Sequence, residues 1–231
     1  MKTNQHFYKY YTYLITAFIS CYLVSGFVLN RLISIDGYYY ITGGTFIYFF
    51  SPIICDVVTE IYGYRLARQM LWAGIFAQFF MGICAALVIK APVPSFWTTT
   101  DSDYKIVLEP LLRSCVSGFF AIFIGQFTNA YLISKWKILL KGKHFWLRSV
   151  ASSFIGDSIT VTIAILGIFI GRIPTNDLSH TLIPELIIMI SFSLLATVPA
   201  SLLARFLKKV ENSDPYDEKV NFNPFKFGLS N

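Results

Sequence analysis

Two aspartates stand inside apolar runs, where a charge is expensive. Asp56 follows SPIIC and precedes VVT, and Asp157 sits between FIG and SITV. A charged side chain at the centre of a membrane helix costs about 2.5–3.5 kcal/mol on insertion scales, so each aspartate must face protein, water or a ligand. Gln126 and Asn129 interrupt a third apolar run, and Glu60 follows Asp56 by four residues. An i,i+4 spacing puts Asp56 and Glu60 on one helix face. Carboxylates only accept hydrogen bonds, whereas amides both donate and accept. Such a set can hold a ligand, form ion pairs or, if two carboxylates share a proton, run acid–base chemistry. Other chemistries lack their residues. Cys21, Cys55, Cys84 and Cys115 lie in apolar stretches without a CxxC, and His6, His144 and His180 are scattered. Buried thiols of this kind behave as small hydrophobes, so neither a metal site nor a cofactor is expected.

The elements that carry these residues are membrane helices. Of the 231 residues, 55% are hydrophobic and 14% charged, against about 25% charged in a soluble domain. The net charge of +6 does not indicate nucleic acid, which requires basic residues gathered on one face. Here they fall in the gaps between apolar runs. A bilayer core needs roughly 20 apolar residues per helix, and six segments qualify: about 11–33, 41–62, 70–90, 111–134, 149–171 and 182–206. The first span is too long for a signal-peptide core and lacks a small-residue cleavage site. The expected fold is therefore all-α and polytopic, a single transmembrane domain over residues 1–231 with short loops and a tail at 207–231. If the amino terminus is cytoplasmic, 14 Lys and Arg fall inside and 5 outside. That asymmetry predicts both termini in the cytoplasm.

With this orientation the polar residues converge in depth. At 1.5 Å per residue, Asp56 lies roughly 7–8 Å and Asp157 roughly 4–5 Å to the cytoplasmic side of the midplane. Gln126 and Asn129 fall at about 5–9 Å on the same side. Small residues form two stripes, Ser114, Gly118, Ala121, Gly125 and Asn129 on the fourth span, and Ser149, Ser153, Gly156, Thr160, Ala164, Gly167 and Gly171 on the fifth. Stripes of this kind are packing seams that let helices approach closely. Pro52 removes a backbone donor and frees a carbonyl one turn earlier, giving a kink or a broken helix. Glu60 is placed to pair with Arg65 near the inner interface, or with Arg148 in closing a cytoplasmic gate. The basic stretch 135–148 is expected to set topology and meet lipid headgroups. Tyr8, Tyr10, Tyr11, Tyr13, Tyr38 to Tyr40 and Trp97 are expected in the interfacial belts. Phe49, just before Asp56, could stack on a flat ring.

The run GTFIYFFSPIICDVVTEIYGYRLARQMLWAGI at residues 44–75 resembles the queuosine precursor transporter family, also called the vitamin uptake transporter family. Its centre is Asp56-x-x-x-Glu60-x-Tyr62-Gly63-Tyr64, followed by Ala67-Arg68. Asn129 with Lys135 and Lys137, then Trp146-x-Arg148 and Ser152-Ser153-x-x-Gly156, extend the match. One position departs from the family pattern: its fifth-helix acid falls where this chain has Thr160, and Asp157 stands one turn earlier. The resemblance implies import of 7-deazapurine precursors of queuosine, 7-cyano-7-deazaguanine, 7-aminomethyl-7-deazaguanine or queuine, across a bacterial inner membrane. A deazaguanine edge offers adjacent N–H donors that one carboxylate can accept as a pair, while amides serve its carbonyl. On this reading Asp56, Glu60, Asp157, Gln126, Asn129 and Phe49 bind substrate. Pro52, Arg65, Arg148 and Ser153 gate or support the site.

Three alternatives stay open. The chain could be the membrane-embedded binding subunit of an energy-coupled vitamin transporter, although Ala17-x-x-x-Cys21 is a poor docking surface for an ATPase partner. It could be an intramembrane aspartyl protease, against which Asp157 lacks a preceding Gly-x-Gly. A structural or assembly role is the third. A homodimer through Gly167-x-x-x-Gly171 and an unseen energising partner are compatible with all of these.

Overall fold

The computed structural model describes residues 8–218 and 220–226; Lys2, His6 and Lys219, which entered the sequence reading, lie outside them. Six helical spans are long and apolar enough to cross a membrane. The all-α polytopic fold expected from composition is the fold observed.

Helix α1 (Tyr11–Val28) leads into a short hairpin, β1 (Leu32–Ile35) and β2 (Tyr39–Thr42), antiparallel with Leu32 opposite Thr42. The second span is broken. Helices α2 (Thr45–Tyr48) and α3 (Phe50–Tyr62) are separated at Phe49. Pro52, in the first turn of α3, has no N–H to offer the Tyr48 carbonyl four residues back, so the break falls where proline chemistry puts it. Gly63 then turns the chain at φ 82° directly into α4 (Tyr64–Ile89), six residues earlier than the expected start.

The fourth span departs most from expectation. Residues expected in an outer loop are helical from Thr98 onward, with Asp101 in the first turn and an Asp101–Lys105 pair at 2.6 Å. Helix α5 (Thr98–Ala121) passes through a π-helical turn at Ile122–Gln126 into α6 (Phe127–Leu139). Helices α7 (Phe145–Phe169) and α8 (Thr175–Glu211) complete the bundle. The backbone N–H of Tyr10, before α1, donates to Glu211 Oε1 at 2.7 Å, so the beginning of the first helix and the end of the last lie together. We call that end of the bundle the terminal side.

The span of α2 and α3 is the hub: 61% of it is buried, against 22–50% for the other five. A helix carrying two carboxylates has to be enclosed by protein, and the five others enclose it. Their outer faces, with Phe76, Phe80, Leu87, Leu195 and Val198 exposed, are apolar surface for lipid. The two small-residue stripes meet. A Cβ at Gly125 would lie 2.6 Å from the Gly156 carbonyl oxygen, and one at Gly156 would lie 2.6 Å from Asn129 Cβ. The fourth and fifth spans are therefore in backbone contact at the level of the acids.

Candidate functional site

Asp56, Asp157, Gln126 and Asn129 meet inside the bundle, each almost completely buried. Asn129 Nδ2 donates to Asp56 Oδ1 at 2.6 Å. The Asp56 Oδ2 atom accepts from Ser153 at 3.1 Å and from Ser149. Asp56 is thus held by three donors from two helices, two of them from the serine face of α7. Gln126 Nε2 donates to Asp157 Oδ1 at 2.8 Å and lies 3.5 Å from the Thr160 hydroxyl. Gln126 reaches Asp157 from the π-helical turn, and such turns recur at functional sites because one extra residue re-aims the side chains around it. Each carboxylate has its own amide.

What remains unpaired is informative. Asp157 Oδ2, Gln126 Oε1, Asn129 Oδ1 and the Tyr48 hydroxyl are buried without a hydrogen-bond partner of standard geometry. Tyr48 faces Thr160 and Asp157. Native proteins satisfy nearly all buried polar atoms, so four such atoms in one neighbourhood point to a place built for a bound molecule or water. Three are pure acceptors and one is a hydroxyl.

Two cavities flank this set. The first is a narrow cleft of about 10 Å³ lined by Phe49, Pro52, Asp56, Ser149, Ser153 and Asp157. Phe49 forms its wall, stacked on Phe192 with ring centroids 4.7 Å apart. The second, about 50 Å³, lies farther from the terminal side and is lined by Tyr22, Thr42, Thr45, Tyr48, Thr160 and Glu185 among others. Both are well below the roughly 300–1,000 Å³ of ligand pockets, so a heterocycle enters only if the surrounding helices part.

A polar cluster seals each end. Away from the terminal side, Glu185 of α8 accepts from the Thr42 backbone N–H at 3.1 Å, the Thr42 hydroxyl at 3.0 Å and the Thr45 hydroxyl at 2.5 Å. That contact ties the hairpin to α8. On the terminal side, Arg148 grips Glu60 through both guanidinium ends, at 2.8 and 3.1 Å. Lys208 reaches Glu60 Oε1 at 2.5 Å, and Lys137 donates to the Glu60 carbonyl oxygen at 2.6 Å. Asp214, beyond α8, receives Lys137 at 2.6 Å and Lys208 at 2.9 Å. Partial burial alone would raise the Asp214 pKa; the two lysine hydrogen bonds outweigh it and hold the carboxyl below its usual value.

The structure reassigns several residues. Glu60, read as a substrate ligand, is enclosed by cations, and Arg148 and Lys208 occupy the place offered to Arg65. Arg65 itself lies half-buried in the first turn of α4. Lys137 and Arg148, read as part of a basic loop facing lipid, are buried, whereas Lys141 and Lys143 are exposed. The tail folds back as a strap: Asp217 Oδ2 accepts from the Tyr64 N–H at 2.8 Å and the Ser134 hydroxyl at 2.6 Å, and Trp72 Nε1 donates to the Pro224 carbonyl at 2.8 Å. Sequence reasoning missed Glu185, Thr42, Thr45, Lys208 and the strap, and took Tyr48 only as one of several aromatics before Asp56 that could stack on a ring. Glu185 alone carried a usable signal, as an acid just inside the sixth predicted span.

Residues 42–204 match the family described as "Putative vitamin uptake transporter", and the chain belongs to that family of membrane transporters. The matched segment runs from Thr42 to Ala204 and so contains both aspartates, their amides, Tyr48 and Glu185. No curated protein and no solved structure matches the chain.

Proposed function

We propose that the protein imports a 7-deazapurine precursor of queuosine through the site between Asp56 and Asp157, as a self-sufficient carrier in a bacterial inner membrane. The observation that carries this reading is the set of partnerless buried atoms, Asp157 Oδ2, Gln126 Oε1, Asn129 Oδ1 and Tyr48 Oη. Three acceptors and one hydroxyl suit a flat heterocycle rich in N–H groups and bearing one carbonyl. The roles differ from the simplest reading of the sequence. The amide nitrogens are spent on the carboxylates, so their oxygens face the ligand's donors, and Tyr48 is the group that can donate to a ring carbonyl. Asp157, with one oxygen free, is the primary acceptor. Asp56, already holding three donors, positions Asn129, and Phe49 offers the stacking wall.

The seals at the two ends suit alternating access. Release of the hairpin from Glu185 opens the larger cavity on one side, and separation of Arg148 and Lys208 from Glu60 opens the other. An aspartyl protease would need the two carboxylates to share a proton, whereas here each is engaged by its own amide.

The test is uptake of labelled 7-cyano- and 7-aminomethyl-7-deazaguanine and of queuine into cells unable to make queuosine, with this chain on a plasmid and no partner ATPase. Uptake of one compound, lost in Asp157→Asn and Asp56→Asn variants that still insert, supports the reading. Uptake unchanged in both variants, or none by a correctly inserted protein, overturns it.

A further inference from the structure

Beside the sealed terminal side lies a third cavity, of about 260 Å³, between the start of α7 and the end of α8. It is lined by Arg205, Lys208, His144, Trp146, Ser201 and the edge of Glu60. Its charge is unbalanced. Arg148, Lys137 and Lys208 share two carboxylates, Glu60 and Asp214. Arg205, exposed on α8, adds a fourth cation and makes no ion pair among the described residues. The Ser201 hydroxyl, buried, also lacks a partner. The 25-residue helix α7 begins here behind His144, so its first backbone N–H groups and the positive end of its dipole add to the same field.

The surroundings indicate where the anion comes from. Trp146 lines the cavity and is exposed, as tryptophan is at the bilayer interface, and on the neighbouring turns of the same two helices Val150, Phe154, Ile190 and Leu194 line an apolar groove of about 510 Å³. An anion that brings its own apolar chains satisfies both parts of this surface at once.

We infer that this cavity binds the phosphate of an anionic phospholipid headgroup, with Arg205 and Lys208 on the phosphate oxygens, Ser201 as a further donor, and the acyl chains in the apolar groove between α7 and α8. Lys208 also holds Glu60, so a bound phosphate competes for the lysine that helps to seal the terminal side. This site is independent of which molecule is transported.

The experiment is native mass spectrometry of the purified full chain, titrated with phosphatidylglycerol or phosphatidylcholine of the same acyl chains, and separately with inorganic phosphate. Phosphatidylglycerol should be retained in preference to phosphatidylcholine, and Arg205→Gln should weaken its binding by about fivefold. Arg205→Lys should keep most of the affinity, and Lys90→Gln, at an exposed position on the other side, should leave it unchanged. Equal retention of the two lipids, or unchanged binding in Arg205→Gln, overturns the inference. Displacement of phosphatidylglycerol by inorganic phosphate, with phosphate itself bound in an Arg205-dependent way, assigns the cavity to free phosphate and overturns the lipid source.

Discussion

Arg148 and Glu60, 88 residues apart in the chain, form a bidentate ion pair in which both side chains are fully buried. The pair locks the base of α7 to the last turns of α3, one turn below Asp56. A buried pair of this kind is close to neutral when kept whole and costly when one member is removed.

Removing the two members should not cost the same. Glu60→Gln leaves buried Arg148 with one amide oxygen and backbone acceptors but no counter-charge, and should destabilise the protein by about 3–5 kcal/mol. Arg148→Met leaves Glu60 with Lys208 and should cost less. Unfolding of the two variants in detergent, compared with wild type, checks the order; a larger loss for Arg148→Met would contradict the assignment of Lys208 to Glu60.

The two aspartates should separate into a stability residue and a binding residue. Asp56→Asn loses acceptor capacity toward three donors and should lower the unfolding temperature. Asp157→Asn loses an oxygen that has no protein partner and should leave that temperature nearly unchanged while reducing ligand affinity by about tenfold or more. Equilibrium binding and thermal unfolding, measured on the same preparations, distinguish the two.

Gly125→Ala should press the fourth span off the fifth, because the added methyl meets the Gly156 carbonyl oxygen at 2.6 Å and the Thr160 nitrogen at 2.8 Å. Overpacking of this kind costs about 1–3 kcal/mol, and it also moves Gln126 relative to Asp157. Transport and unfolding temperature should fall together.

The strap carries a pH signature. The Asp214 carboxyl is held below its ordinary value by Lys137 and Lys208, which overcome its partial burial. Its contribution is therefore present in full above the unfolded value of about 3.9 and is lost as pH falls through the lower folded value. Asp214→Asn should lower stability at pH 7 by no more than about 1 kcal/mol, since the group is 45% exposed and screened. The difference from wild type should begin to narrow below about pH 4 and close only below the lower folded value; a difference that does not narrow at all as pH falls below 4 would show that charge is not its origin.

Much of this site could be read from the residues. Asp56, Asp157, Gln126 and Asn129 are each too costly in lipid to point outward, and helical rise alone brings them to one depth. Pro52 dictates the break at Phe49 through its missing N–H. Other features had no local signal. The burial of Lys137 depends on Glu60 and Asp214, 77 residues away in each direction, and a lysine in a basic stretch reads as solvated. Glu185 did carry a signal, as an acid just inside the sixth expected span, but its partners did not, since Thr42 and Thr45 lie at and just beyond the end of a hairpin that hydrophobicity does not reveal. The early start of α5 was hidden by Asp101, Asp103 and Glu109, which lower hydropathy without breaking the helix.

The π-helical turn at Ile122–Gln126 sets how the site responds to the length of the chain. A π turn accommodates one residue more than the α-helix around it. Deleting a single residue there, such as Ile124, would let α5 and α6 fuse into a plain α-helix of the same apolar character. The segment would still span the membrane and, because the turn absorbs its extra residue locally, α5 and α6 would keep their mutual facing. Only side chains within the turn, Gln126 among them, would shift, so the deletion would probe the Gln126–Asp157 contact while leaving Asn129 on Asp56. The turn thus shields the rest of the site from a one-residue change in chain length, which in a plain α-helix would swing everything beyond it by about 100°.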